Sequence, residues 1–523
     1  MQSHLESEIQ FARQHNIGDI LRRSAVRFPD KIAIICGQTQ WTYNTFDNAC
    51  NQLARHLLAS GISTGDKIAV ISRNSHGFAA IRFAIARIGA VLVPINFMLN
   101  VNEVRYILNS SRSKMLALGP EFIDSGLEAI SEGTAIEITL GLPSEHQSSS
   151  EKTDLRFEEL LKGDATALEI RLDDRSLAQI VYTSGTEATP KGAMLSHSAV
   201  LWQYTSCIID GEMTASDVIL HALPLYHCAQ LDVFLGPAIY LGMTSTITSD
   251  PSPDNILALL EKRRISSFFA PPSVWISLLR SPLFYKTNFQ KLEKGYYGAS
   301  IMPVEILAEL QQRLPKLRLW NLYGQTEMAP VATVLKPEDQ FRKAGSAGTA
   351  AINVETRVVN DDMLDVKVGE VGEIVHRSPQ LLTGYFEDPV RTAEAFEGGW
   401  FHSGDLATID EEGHITIVDR KKDMINTGGE NVASREVEEC IYLMPEISEV
   451  AVIALPHPQW IEAVTAIVTL KEGQNTTEEA VIKHCRGHLA GYKTPKRVIF
   501  QHSLPKNPSG KLLKRELRAS FAK

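Results

Sequence analysis

Eleven residues, Tyr182-Thr183-Ser184-Gly185-Thr186-Glu187-Ala188-Thr189-Pro190-Lys191-Gly192, gather hydroxyls, two glycines and a lysine into one stretch. Small residues let main-chain N–H groups approach an anion, hydroxyls donate to it, and Lys191 adds a point charge. Such a segment can wrap a polyphosphate. It is not a P-loop, because Gly185 and Lys191 have the wrong spacing and no Ser or Thr follows the lysine. Taken alone, the same composition also describes a flexible surface loop. The apolar run Ala178-Gln179-Ile180-Val181 predicts a strand that delivers the chain into it.

The surrounding elements read as layered α/β structure. Residues 19–60 suggest a helix, a strand over Lys31–Cys36 and a second helix after Tyr43, with Phe46, Leu53, Leu57 and Leu58 near helical spacing. Continuous apolar strands are expected at Lys67–Ile71 and Ala90–Pro94, with a helix over Phe78–Ile88 between them. Buried strands alternating with helices indicate parallel sheets. The Ser/Glu-rich stretch from Pro143 to Asp154 reads as a disordered connection. Further strands are expected at Val218–Leu220 and Ser266–Ala270, with a helix over Ile256–Leu260. After about Ala344 shorter strands with Gly turns suit a β-rich subdomain. A last unit alternates a helix (Ser434–Leu443) with strands (Glu449–Leu455, Ala463–Leu470). The expected architecture is a large N-terminal α/β domain with a β-rich subdomain, residues 1–419, and a small mobile C-terminal α+β domain, residues 420–523.

At 523 residues the chain exceeds one core. Its 44% hydrophobic and 22% charged content is that of an ordinary globular protein, and the net charge of -10 argues against a general nucleic-acid binder. The C-terminus departs from that average. From Lys483 to Lys523 there are eleven Lys/Arg against one acid, Glu516. A solvated face, a phosphate-bearing ligand and an anionic membrane surface all account for that run. The six cysteines (Cys36, Cys50, Cys207, Cys228, Cys440, Cys485) show no CxxC pair and no metal-ligand spacing, and read as reduced thiols of a cytoplasmic protein. No apolar run reaches the roughly 20 residues that span a bilayer, and no signal peptide is visible. Peripheral membrane contact and a homodimer stay open.

Four further motifs follow the polyphosphate stretch in order: Tyr323-Gly324-Gln325-Thr326-Glu327, Gly399-Trp400-Phe401-His402-Ser403-Gly404-Asp405, Asp419-Arg420-Lys421-Lys422-Asp423 and Pro508-Ser509-Gly510-Lys511. Together they resemble the core motifs of the adenylate-forming superfamily of acyl-CoA synthetases, peptide-synthetase adenylation domains and luciferases. The resemblance runs from about residue 18 to residue 518. It implies ATP, Mg²⁺ and coenzyme A as cofactors and a carboxylic acid as substrate.

By that resemblance Thr183, Ser184, Gly185, Thr186 and Lys191 hold the β- and γ-phosphates. The chain departs from the usual Thr-Gly at Glu187 and Ala188, and a carboxylate there repels a triphosphate unless it faces solvent or the metal. Tyr323, in the Tyr323-Gly324 pair, and Gly298-Ala299-Ser300 take the two faces of adenine. Thr326 meets the α-phosphate, and Glu327 binds Mg²⁺, a hard cation that prefers oxygen. Asp405 accepts from the ribose hydroxyls and Arg420 reaches the same sugar. Read without the resemblance, these are a core tyrosine and a Gly-Asp turn.

A carboxylate is a poor electrophile, so its oxygen must first attack the α-phosphorus and expel pyrophosphate. Lys511 is implied to stabilise the charge that develops there, and a thiolate then takes the acyl group. The resemblance implies that the C-terminal domain rotates about Lys422 between these steps and that Gly428, Gly429 and Glu430 then line the pantetheine tunnel. His227 is implied at the acid pocket, against the alternative of a core histidine. The expected pocket walls, Gln230, Leu231, Phe234, Tyr297 and Tyr323, are mostly apolar and carry no fixed charge for an amino group. Phe341–Gly345 and the segment Lys421–Ile425 read closest to fatty acyl-CoA synthetases. The expected function is therefore acyl-CoA formation from a medium- or long-chain fatty acid. Alternatives are an aryl-CoA ligase for benzoate- or cinnamate-like acids, an enzyme loading an acyl carrier protein, and a nucleotide-binding module without turnover.

Overall fold

The computed structural model describes residues 2–183, 190–427, 430–458, 460–506 and 512–521. The chain forms two compact units. The first holds residues 1–183, 190–356 and 376–397, and the second residues 357–375 and 398–523.

Two large sheets organise the first unit. The nine-stranded sheet runs, in spatial order, Thr349–Ala350, Val331–Leu335, Arg318–Gly324, Lys294–Gly298, Ser267–Phe269, Val218–His221, Thr244–Ile247, Ile32–Cys36 and Thr39–Thr42. From Arg318–Gly324 to Ile32–Cys36 every pairing is parallel, and the outer pairings are antiparallel. The eight-stranded sheet is parallel from Leu177–Thr183 through Val91–Pro94, Lys67–Ile71, Met115–Leu118 and Ile138–Gly141 to Leu155–Arg156. Central strands such as Met115–Leu118 are buried on both faces, which is why they read as unbroken apolar runs. Polar caps start the helices: Asn16 forms a capping box for Ile17–Arg27, and Ser75 and Ser196 cap His76–Arg87 and His197–Asp210.

The stretch expected to be disordered, 143–154, is ordered. Glu145 accepts from Thr248 Oγ1 (3.0 Å), Ser249 N (2.6 Å) and Ser249 Oγ (3.0 Å). Asp154 accepts from Thr139 N at 2.8 Å and Oγ1 at 2.7 Å, and Ser144, Ser149 and Thr153 are buried. Short polar side chains here replace a ladder with local hydrogen bonds to main chain.

The second unit carries a four-stranded sheet (Glu355–Val359, Gly372–Arg377, Phe401–Ile409, Ile415–Arg420), whose first two strands begin or end across the division of the units. It also carries a five-stranded sheet built on the long Ile447–His457/Ile461–Leu470 pair. The helices Ser434–Tyr442 and Glu478–His488 cover that pair through Val437, Ile441, Val481 and Cys485.

His197 ties two helix starts together. Its buried Nδ1 accepts from the main-chain N–H of Ile17 at 3.3 Å, one of the donors a helix start leaves without a partner. Burial, with help from Arg82, pushes its pKa down to about 3. His221 also falls to about 3, and His76 and His376 to about 4, all chiefly by desolvation. Folded histidines held neutral bind fewer protons than the unfolded chain does. Their stabilisation is complete above pH 6.5 and is lost as pH falls toward 3–4, by up to ~1.4 kcal/mol per pH unit each. The thermal midpoint should therefore drop between pH 7.5 and 5. His197→Asn should lower the midpoint at pH 7.5 and make that drop smaller; an unchanged drop would clear His197 of the role.

Candidate functional site

The polyphosphate stretch joins two antiparallel strands, Leu177–Thr183 and Lys191–Ser196, in which Thr183 pairs with Lys191 and Tyr182 with Gly192. A helix does not follow the loop directly, which separates it in geometry as well as sequence from a P-loop. Gly192 is required: a Cβ there would lie 2.7 Å from Ile180 Cγ2. Ser184, Gly185 and Thr186, with Glu187 and Ala188, lie outside the described residues.

A third short strand, Gly384–Tyr385, extends the hairpin, pairing Tyr385 with Ala193. Tyr385 then does two things. Lys191 Nζ sits 5.5 Å from its ring centroid, and its hydroxyl donates to Glu327 Oε1 at 2.9 Å. Glu327 is buried, and its carbonyl oxygen accepts from Leu382 N at 2.8 Å. One carboxylate oxygen is thus held while the group stays a hard oxygen donor, which suits a hard cation such as Mg²⁺. Tyr385 was not singled out from sequence; its partner is 58 residues away and no local motif links the two.

Parallel strands of the nine-stranded sheet deliver the remaining groups at their carboxyl ends, the edge where ligands bind open α/β sheets. Lys294–Gly298 ends in Gly298-Ala299-Ser300, and Arg318–Gly324 in Tyr323-Gly324 followed by a turn over Thr326–Met328. The two strand ends are forced close: a Cβ on Gly298 would meet Leu322 O at 2.4 Å, and one on Gly324 would meet Pro330 O at 1.9 Å. Ala299 takes a left-handed conformation (φ 65°), which costs a residue bearing a Cβ about 1–2 kcal/mol. Ala299 and Ser300 are exposed, and Tyr323 is half-buried.

Val218–His221 leads into Leu223–His227. His227 caps the following helix, its Nδ1 accepting from Ala229 N at 3.1 Å, so its proton resides on Nε2. Desolvation by the surrounding protein lowers its pKa, while its side chain keeps an exposed surface. Beside it, Cys228 Sγ lies 3.5 Å from Thr326 Oγ1, and burial pushes that thiol up to about 12. His227 and Thr326 therefore meet the same side chain. The helix beyond widens into a π-turn at Leu231–Leu235. Of the expected walls, Gln230, Leu231, Phe234 and Tyr297 are buried. Phe234 stacks on Phe269 at 4.5 Å, and the Tyr297 hydroxyl donates to Gln340 at 2.6 Å.

In the second unit Asp405 and Arg420 face each other across antiparallel strands and form an ion pair at 2.8 Å. Gly404 precedes Asp405 at φ 70°, and its carbonyl accepts from Lys421 N at 2.9 Å. Lys422 and Glu430 are exposed. Gly428, Gly429 and Lys511 lie outside the described residues.

Residues 21–386 match the family model described as AMP-binding enzyme, and residues 436–511 that of the AMP-binding enzyme C-terminal domain. A feruloyl-CoA synthase of an Amycolatopsis species is 33% identical over 509 residues, which cover 97% of this chain and 100% of its own. A long-chain-fatty-acid–CoA ligase of Mycobacterium tuberculosis is 34% identical over 514 residues, 97% of this chain and 99% of its own. The structure of ATP-bound MatB from Rhodopseudomonas palustris superposes with a TM-score of 0.87 at 28% identity, over 97% and 99% of the two chains.

Tyr385→Phe removes a hydrogen bond to a carboxylate, worth about 1.5–3 kcal/mol. The Mg²⁺ concentration that gives half-maximal stabilisation in the presence of ATP should rise about tenfold or more, with Tyr182→Phe as the neighbouring control. An unchanged Mg²⁺ dependence in Tyr385→Phe would separate Tyr385 from the metal.

Proposed function

The chain belongs to the AMP-binding enzyme family, and from that premise we propose that it activates a hydrophobic carboxylic acid, a medium- or long-chain fatty acid, for transfer to coenzyme A. It is an AMP-forming acid–CoA ligase: acid, ATP and CoA give acyl-CoA, AMP and pyrophosphate. The observation that carries the reading is the linked set Lys191–Tyr385–Glu327 beside the carboxyl ends of the parallel strands. Mg²⁺ held at Glu327 supplies neutralisation of phosphate charge.

The remaining assignments follow the chemistry. The substrate carboxylate oxygen attacks the α-phosphorus and the bond to pyrophosphate breaks. Lys191, with Thr183, Ser184, Gly185 and Thr186, draws off the charge of the leaving group. Thr326, held beside Cys228, donates to the α-phosphate, and Tyr323, Gly324 and Gly298-Ala299-Ser300 accommodate adenine. Asp405 and Arg420 take the ribose. The Nε2–H of His227 faces the acid recess as a neutral donor. The CoA thiolate then attacks the acyl carbon and AMP leaves. Lys511 is assigned to the first step and Gly428, Gly429 and Glu430 to the pantetheine arm.

Leu231, Phe234 and Tyr297 carry no charge, which favours a hydrophobic acid. An aryl acid is the second reading, supported by the Phe234–Phe269 stack and by the relative that makes feruloyl-CoA. Purified enzyme with ATP, Mg²⁺, CoA and acids from acetate through long-chain fatty acids to cinnamates decides by mass spectrometry. Aliphatic thioesters are expected; aryl thioesters alone would move the assignment, and acyl-AMP without thioester would point to a carrier protein. Lys511→Ala should leave ATP affinity within a few-fold and cut ATP–pyrophosphate exchange by about 10²–10³. Equal exchange would remove Lys511 from that step.

We place the domain boundary at 419/420 with Lys422 as the hinge. Asp419 Oδ2 accepts from Ser434 N at 2.6 Å and Ser434 Oγ at 2.7 Å, bonds that cross this hinge. The Asp423–Arg518 pair at 2.5 Å lies wholly beyond it. Ser434→Ala should change the ratio of thioester formation to adenylation several-fold at unchanged ATP affinity. Equal ratios in single-turnover measurements would count against a hinge gated by these bonds.

A further inference from the structure

Two helices of the second unit bring together a set of side chains that the reaction does not use. One ligand atom from each of Cys440, His484 and His488 lies within 4.8 Å of the other two. His484 and His488 are one turn apart on the helix Glu478–His488, with ring centroids 4.4 Å apart. Cys440 comes from the facing helix Ser434–Tyr442.

Both rings are already oriented by main chain. His484 Nε2 lies 3.0 Å from Cys440 O, and His488 Nδ1 lies 2.8 Å from His484 O. Each imidazole thus has one nitrogen at a main-chain carbonyl, and no hydrogen bond to the other is seen among the described residues; a main-chain partner of this kind is what orients metal-binding histidines. Cys440 is buried, with the Cys485 thiol as its hydrogen-bonding neighbour, while His488 is exposed and leaves a path for entry. Ligand atoms around a tetrahedral Zn²⁺, at about 2.1 Å for nitrogen and 2.3 Å for sulfur, stand ~3.5 Å apart. Closing the remaining gap requires the imidazoles of half-buried His484 and exposed His488 to turn from their carbonyl contacts.

We propose that Cys440, His484 and His488 form a binding site for a soft or borderline divalent transition cation, with Zn²⁺ as the member that fits. The donor set is one thiolate and two imidazoles. No carboxylate belongs to it, which disfavours Mg²⁺ and Ca²⁺. Three protein ligands leave a fourth position for water on the exposed side. Binding replaces the Cys440 thiol proton, which is released to solvent. Burial, and then contact with Cys485, bear on that thiol, and the first raises its pKa, so metal and proton compete for the same sulfur. A bound ion would staple the two helices that cover the Ile447–His457/Ile461–Leu470 sheet.

The test uses the untagged full chain, stripped with a chelator and titrated with Zn²⁺ by calorimetry and chelator competition. Co²⁺ serves as a second probe, because a thiolate ligand adds a sulfur-to-cobalt charge-transfer band. Wild type should bind one equivalent, and Cys440→Ser and His488→Ala should each weaken binding about tenfold or more. The charge-transfer band should vanish in Cys440→Ser and persist, weakened, in His488→Ala. His488→Ala, an exposed position, should keep ATP–pyrophosphate exchange at the wild-type rate. Absence of stoichiometric binding in wild type, or equal binding in both variants, would overturn the site.

Discussion

A carboxylate kept inside a protein must have its oxygens answered, and the first unit meets that demand at Glu327 with a single phenol. The Tyr385 hydroxyl takes one oxygen at 2.9 Å and leaves the rest of the group for a ligand. Tyr385 can do so only because its own main chain is fixed. Its N–H donates to Thr392 Oγ1 at 2.9 Å, it pairs with Ala193, and Phe386 N donates to Gly192 O at 2.8 Å. The hairpin that carries Lys191 is therefore registered against the turn that carries Glu327 through one short strand. Lys191 and Glu327 share a side chain, and neither is placed by its own loop alone.

This dependence explains what could be read from the sequence and what could not. Lys67–Ile71 was legible as a strand because burial on both faces leaves an unbroken apolar run. The clusters Tyr323–Glu327 and Asp405 stood out only through their order along the chain, since each alone reads as a core tyrosine or a Gly-Asp turn. Tyr385 did not, since nothing in Gly384-Tyr385 announces a partner in Glu327. The stretch 143–154 misled because Ser, Thr and Glu suit either a solvated chain or a web of side-chain bonds. Glu145 reaching Thr248 and Ser249, more than a hundred residues on, decided between them. The cysteines were read as reduced thiols without metal-ligand spacing, and all six are free thiols; the proximity of Cys440 to two histidines arises only in the fold. His484 and His488 sit at helical spacing, but Cys440 enters from 44 residues upstream.

The basic C-terminus shows the same limit in electrostatic form. Eleven cations against one acid suggest a surface field, yet charge along a chain becomes a field only where the folded partners are absent. Here several are answered within the second unit. Lys493 pairs with Glu436 at 2.7 Å, Lys514 with Glu438 at 2.7 Å, Arg518 with Asp423 at 2.5 Å, and Lys506 with Glu449. The acids lie upstream by as much as 95 residues, so part of the linear excess is a sorting of partners by position. Lys514 also donates to Ser434 Oγ at 2.6 Å, the hydroxyl that bonds Asp419. Leu517 meanwhile packs with Ala451 and Ile453. The helix Lys514–Phe521 is thereby bound on its polar and apolar faces to the unit that precedes it. Lys511 precedes that helix by three residues in sequence, and the helix itself is anchored to Asp423 and Ser434, both on the C-terminal side of Lys422. The partners of this helix, Asp423, Ser434 and Glu438, all lie beyond Lys422, so under the proposed rotation the helix and the charges that hold it would move as one body.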